Sequence, residues 1–158
     1  MRLKGMTALV TGGGTGIGAA IQTEMTALPV GKADLRREGH GIAILAFGAM
    51  LAPALVAGEQ LNATVINMRF VKPLDVECVL HLAKTHPLLV TVEENTIQGG
   101  AGSAVAECLA QHHAVVSLLQ LGLPDRFIEQ GDPAQMLADC GLNAEGIAHS
   151  IQHYLTKP

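Results

Sequence analysis

The sequence predicts an α/β domain, a three-layer sandwich around a sheet of about five strands that run mostly parallel, with one antiparallel strand at an edge. Three observations lead there. Strand candidates recur near residues 33–37, 42–47, 63–69, 87–93 and 115–121, and helix-length segments follow most of them. Strands joined by connections of that length imply parallel crossovers, with helices covering both faces of the sheet. The exception is Glu38-Gly39-His40-Gly41, too short for a crossover, so the first run should pair antiparallel, at an edge or as a hairpin arm. Finally, 158 residues, 49% hydrophobic and only 15% charged, suffice for one domain with a real core. With no Trp and a single Tyr, that core must be aliphatic.

The bulk properties also narrow the partners. A formal charge of −4 and few clustered Lys or Arg argue against nucleic acid and against an anionic membrane surface, leaving proteins or small molecules. Cys78, Cys108 and Cys140 are odd in number and never closely paired, which fits a reduced, cytoplasmic chain better than a zinc or redox site. No apolar run of adequate length and no small-residue cleavage site follows Met1-Arg2-Leu3-Lys4-Gly5, so a signal peptide is not expected. The uncharged stretch from Gly41 to Gly58 approaches the length of a membrane helix. Gly48 and Pro53 divide it, however, and it reads as a buried strand, a turn and a helix.

Taken in order, Met6 to Val10 is a short strand candidate, Thr11 to Gly18 a glycine turn, and Ala19-Ala20-Ile21 the opening of a helix. Strand, glycine turn and helix form the setting of a phosphate-binding loop, which makes Gly12, Gly16 and Gly18 the cofactor-binding candidates. Thr11, Gly12, Gly16 and Gly18 resemble the start of a short-chain dehydrogenase/reductase. The resemblance ends near residue 20, and Lys157 falls one position short of the Tyr-x-x-x-Lys pair that the family would need after Tyr154. An intact oxidoreductase is therefore excluded.

Beyond Leu28 the helix candidates are Met50 to Leu61, with Pro53 tolerable in the first turn, then Val76 to Lys84 after Asp75, and Ser103 to Gln111 after a glycine loop. Pro133 to Cys140 follows Asp132, and Ala144 to Leu155 follows Asn143. Asn62 to Met68 reads as a strand covered on both faces, which places Arg69 and Lys72 at or just past its carboxyl end. Arg69 should close a local ion pair and Lys72 should be solvated. Pro73 cannot donate to a strand ladder, and Asp75 can accept from the free amides of the next helix.

Several ordered motifs then carry a broader resemblance. They are Leu28-Pro29-Val30-Gly31-Lys32-Ala33, Ile44 to Gly48, Met68-Arg69-Phe70-Val71-Lys72-Pro73-Leu74-Asp75, Val90 to Asn95, Gly99 to Val105, and Leu121 to Ile128. Residues 28–158 resemble the carboxyl-terminal, transketolase-like domain of the 1-deoxy-D-xylulose-5-phosphate synthases, and more distantly the beta subunits of 2-oxo-acid dehydrogenases. The resemblance divides the chain into an atypical glycine-rich arm, 1–27, and a transketolase C-terminal-like domain, 28–158. It implies a thiamine-diphosphate- and magnesium-dependent transferase that condenses pyruvate with glyceraldehyde 3-phosphate, supplying isoprenoid, thiamine and pyridoxal precursors.

In that family the cofactor, metal and catalytic bases belong to two preceding domains. Gly131-Asp132-Pro133 is only a fragment of the family's Gly-Asp-Gly metal motif. Gly14 to Gly18 also fits the tail of a family segment that precedes this domain, but the arginine of that segment, which helps hold the substrate phosphate, is absent here. The resemblance therefore implies no bound cofactor or metal in this chain alone and no catalytic residue. It implies an assembly role with the remaining synthase domains or with a second copy, as a homodimer. The alternatives are a dinucleotide-binding dehydrogenase-like fragment or a free-standing interaction module.

Other candidate sites have plainer readings. The amides of Asn95 to Ser103 could receive an anion or could form a close-packed turn. Glu93 and Glu94 should lie near the Arg69 junction and pair there if their strands are neighbours. His149 and His153 have metal-compatible spacing but fit an exposed helical face, and no metal ligand is assigned. His112-His113 suits a helix carboxyl end. The three cysteines fall inside helix candidates as small hydrophobes.

Overall fold

The structure is a computed structural model, and it describes residues 28–157. The arm, with its Met6 to Val10 strand candidate and Gly12, Gly16 and Gly18, lies outside them. Five strands form one sheet: β1 (Asp34–Arg37), β2 (Ile42–Ala46), β3 (Thr64–Asn67), β4 (Leu88–Thr96) and β5 (Ser117–Leu123). Their spatial order is β1-β3-β2-β4-β5. All neighbouring pairs are parallel except β1 with β3, where Asp34 faces Asn67 and Leu35 faces Ile66.

The antiparallel edge strand is thus present, but it does not form a hairpin with its sequence neighbour. The short connection crosses the start of β3 instead. Gly39 makes that crossing possible, since a Cβ there would lie 2.3 Å from the backbone of Asn62 and Ala63. His40 donates its amide to the Asn62 carbonyl at 2.8 Å, tying the crossing down.

Helices α1 (Leu51–Gln60), α2 (Val76–Thr85), α3 (Ala101–Gln111), α4 (Pro133–Asp139) and α5 (Ala144–Thr156) complete the chain. A single 3-10 turn, Gly48–Met50, leads into α1, so Gly41 to Gly58 is a buried strand, a turn and a helix. No helix among the described residues is long and apolar enough to cross a membrane.

Alternation along the strands divides the core in two. Ile44, Val90 and Val92 face α1 and α5, meeting Ala54, Ala57, Ile147 and Ile151. Leu45, Met68 and Leu89 face α2 and α3, meeting Val79, Leu82, Val105 and Leu109. Sheet and helices so form three layers, and all five residues of β2 are buried at the centre. Burying a Leu, Val or Ile contributes roughly 1.5–3 kcal/mol, so these two aliphatic layers carry most of the stability.

Several boundaries differ from the sequence reading by one to three residues, three of them for an identifiable local reason. β3 stops at Asn67 because Arg69 turns to φ +56°, with its amide donating to the Asn67 side chain at 3.2 Å. β4 runs on to Thr96, which is held in register with Leu123 of β5. α3 starts at Ala101, two residues before Ser103, because a distant side chain caps it.

Candidate functional site

At the carboxyl edge of the sheet, β2 lies between β3 and β4, and the chain leaves it first toward one side and later toward the other. Crevices form at such switch points in open α/β sheets. Here a crevice of about 420 Å³ is lined by Phe47 and Gly48 after β2, Val71 after β3, Glu93 and Asn95 at the end of β4, and Gly100.

Glu93 forms its base. The side chain is only 3% exposed, and its Oε2 and Oε1 accept the amides of Ala101 at 2.6 Å and Gly102 at 2.8 Å. A carboxylate suits this place because a helix amino terminus presents unpaired N–H groups and a partial positive charge. Gly100 lets it approach, since a Cβ there would sit 2.3 Å from Glu93 Oε2. Beside it, Thr91 Oγ1 and Gln120 Nε2 are buried without hydrogen-bond partners.

This corrects one expectation and resolves another. Glu93 does not pair with Arg69, because β2 separates their strands; Arg69 binds Asp34 instead, at 2.8 Å. Glu94 is exposed at the rim. The glycine-rich turn from Asn95 to Ser103 does present amides to an anion, and the anion is the chain's own Glu93.

The Met68 to Asp75 junction is structural. Asp75 Oδ1 accepts the Cys78 amide at 3.1 Å, capping α2, while its Oδ2 accepts the Ala33 amide at 2.9 Å. Lys32 reaches both Asp75, at 3.7 Å, and Glu77, at 2.6 Å, and Lys72 is exposed. One carboxylate therefore ties the segment before β1 to the start of α2.

The remaining candidates separate. His149 and His153 lie exposed on α5 with rings stacked 6.3 Å apart. His112 caps the carboxyl end of α3, and His113 follows it at φ +53°. Among the described residues, no three His, Cys, Asp or Glu side chains converge in a way that could hold a metal.

All three cysteines are free. Cys108 is buried, and burial pushes its thiol pKa up. Cys78 is half-buried, with a pKa pushed up to about 11 by burial first and then by the Asp75 charge. Cys140 sits at the end of α4 rather than within it.

A second groove, at the opposite edge, escaped the sequence reading. It spans about 580 Å³ and includes His40, His81, His86 and Thr64. His86 is held through both ring nitrogens, by Thr64 and Thr85, each at 2.9 Å. No local motif announced this, because Thr64 and His86 meet only once β3 and α2 have packed.

The residues present do not fit thiamine diphosphate with magnesium. Asp132, the acidic member of Gly131-Asp132-Pro133, accepts the amides of Ala134 and Gln135 and caps α4. The buried Glu93 carboxylate is likewise committed to two amides. Neither is free to serve a cofactor, and no reaction step is assigned to them.

Residues 31–147 match the family described as transketolase, C-terminal domain. The chain belongs to that family. Among relatives of this transketolase C-terminal domain, the 1-deoxy-D-xylulose-5-phosphate synthase of Nitrosomonas eutropha is 62% identical over 143 residues. That alignment covers 90% of this chain and 23% of the relative. The synthase of Nitrosomonas europaea is 63% identical over 139 residues, covering 88% and 23%. This transketolase C-terminal domain chain thus spans just under a quarter of the length of these relatives.

A solved structure described as "Split gene transketolase, inactive beta4 tetramer" superimposes with a TM-score of 0.74 at 32% identity, covering 83% of this chain and 43% of that one. It places the five-stranded sheet within the transketolase fold. The family match over residues 31–147 does not extend to Gly12, Gly16 and Gly18, but the Nitrosomonas eutropha alignment, at 90% of this chain, reaches back past Leu28 and takes in Gly18.

Proposed function

We propose that this chain is the C-terminal assembly domain of a thiamine-diphosphate-dependent 1-deoxy-D-xylulose-5-phosphate synthase, and that it does not catalyse the condensation by itself. The observation that carries the reading is 62% identity over 90% of this chain, against a synthase of which it covers 23%. The site geometry supports the second half. Glu93, the buried carboxylate that lines the crevice, is spent on capping α3, which leaves it no free acceptor for acid–base work.

On this reading the cofactor and magnesium belong to the remainder of the synthase, and residues 1–27 form an arm ahead of the domain. The chain works in the cytoplasm, in keeping with its three free cysteines, as part of a homodimer. The split-gene transketolase neighbour is a beta4 tetramer, which supports self-association of this fold. Calorimetric titration of thiamine diphosphate with magnesium into the isolated chain tests the division of labour. No saturable heat is expected, and micromolar binding would refute it.

A further inference from the structure

The proton positions around His86, the residue that closes α2, follow from counting donors. Thr85 Oγ1 lies 3.0 Å from the His81 carbonyl and 3.4 Å from the Leu82 carbonyl. Carbonyls only accept, so the single Thr85 hydroxyl proton is directed to them. The 2.9 Å contact between Thr85 Oγ1 and His86 Nδ1 is then made by the ring, which places its proton on Nδ1. In the neutral ring Nε2 is left as an acceptor, and the Thr64 hydroxyl, 2.9 Å away, donates to it.

Thr64 has a second outlet for the same proton. Its Oγ1 lies 3.1 Å from the Gly39 carbonyl, and it also accepts the Gly39 amide at 3.1 Å. One hydroxyl proton serves either Nε2 or that carbonyl. We infer that His86, Thr64 and Gly39 form a proton-operated latch at the amino edge of the sheet, in which charging the imidazole turns the Thr64 hydroxyl onto Gly39. A proton taken from solvent by Nε2 reverses the first contact, so that Nε2–H donates to Thr64 Oγ1. The Thr64 proton then passes to the Gly39 carbonyl, and no polar group loses its partner.

The latch acts on the crossing between β1 and the central strand β2. With a neutral ring, Thr64 holds Gly39 by its amide alone; with a charged ring it holds both amide and carbonyl. Gly39 is already in backbone contact with Asn62 and Ala63, and the His40 amide is tied to the Asn62 carbonyl. The second bond therefore tightens a turn that has little room to shift.

The groups facing the ring set when it charges. From α2 come His81, Cys78 and Lys84, and from the crossing Glu38 and His40. Arg37 of β1 is committed to the Ala63 carbonyl at 2.6 Å, and β3 contributes Thr64 and Ile66, which do not titrate. Burial, with His81 and His40, holds the ring below its ordinary pKa of 6.5, so the latch is open at neutral pH and closes in acid. The open groove of about 580 Å³ gives the proton its path.

The test is nuclear magnetic resonance on the full chain, labelled with nitrogen-15 in histidine and carbon-13 in the backbone. At about pH 8 the His86 ring should carry its proton on Nδ1 with Nε2 bare. From there to about pH 5, the Gly39 carbonyl resonance should move with the midpoint of the His86 ring. The movement should persist in Thr64→Ser, which keeps the hydroxyl, and in His40→Gln, which removes the adjacent titrating ring. It should be lost in Thr64→Val and in His86→Gln. A proton on Nε2 at about pH 8, or a Gly39 carbonyl that does not follow the His86 ring, would overturn the latch in the wild type alone. Movement retained in Thr64→Val, or lost in His40→Gln, would overturn it as well.

Discussion

The Glu93 carboxylate accepts the Gly102 amide at 2.8 Å across nine positions of sequence, so a strand end caps the helix that follows it. With the Ala101 bond at 2.6 Å, it satisfies two amino-terminal amides of α3 and joins β4 to that helix. Glu93→Ala should cost roughly 2–4 kcal/mol in urea unfolding, because hydrogen bonds to a charged group contribute more than neutral ones. Glu93→Gln keeps one acceptor and should lose about half of that.

Gly100 and its neighbour Gly99 separate steric from backbone effects. Gly99 has φ +75° with open space around it, so Gly99→Ala should cost about 1 kcal/mol for the left-handed backbone alone. Gly100 has an ordinary φ of −79°, but an added Cβ would press on Glu93 and Thr96. Thermal unfolding should therefore rank Gly100→Ala well below Gly99→Ala in stability.

Asp75→Ala removes the α2 cap together with the bond to Ala33, and it should cost about 2 kcal/mol by chemical denaturation. Asp34→Ala breaks the Arg69 pair, whose side chains are 30% and 20% exposed, and should cost under about 1 kcal/mol. The order of the two losses checks which contact secures the junction.

Burial holds the His86 imidazole below its ordinary pKa of 6.5, with His81 and His40 adding in the same direction and the Leu82 carbonyl opposing. The unfolded chain therefore takes up this proton at higher pH than the folded one. The contribution is fully present above 6.5 and is lost as pH falls toward the folded value. Between about pH 7.5 and about pH 5, the wild type should lose more stability than His86→Gln, measured by urea midpoints. Parallel curves would contradict the assignment.

Much of this fold was legible because its signals are local. The uncharged run from Ile42 to Phe47, cut off by Gly48 and Pro53, read as a buried strand, and Asp75, Asp132 and Asn143 each cap a helix within three residues. The shortness of Glu38 to Gly41 announced an antiparallel strand. Its partner was not legible, because strand pairing depends on the order β1-β3-β2-β4-β5, which no local pattern encodes.

The same order put β2 between Arg69 and Glu93 and sent each to another partner. Glu93's capping role did leave a trace, since Gly100-Ala101-Gly102 opens α3 without a local capping side chain. The dinucleotide reading of Gly12, Gly16 and Gly18 falls outside the described residues.

Carboligation of pyruvate with glyceraldehyde 3-phosphate, in the presence of thiamine diphosphate and magnesium, tests the central claim most directly. It is measured for this chain alone, for the Nitrosomonas europaea synthase lacking its C-terminal quarter, and for the two mixed. The account predicts no turnover by this chain alone and recovery of activity when it joins the truncated synthase. Turnover by the isolated chain, or no gain on mixing, would contradict it.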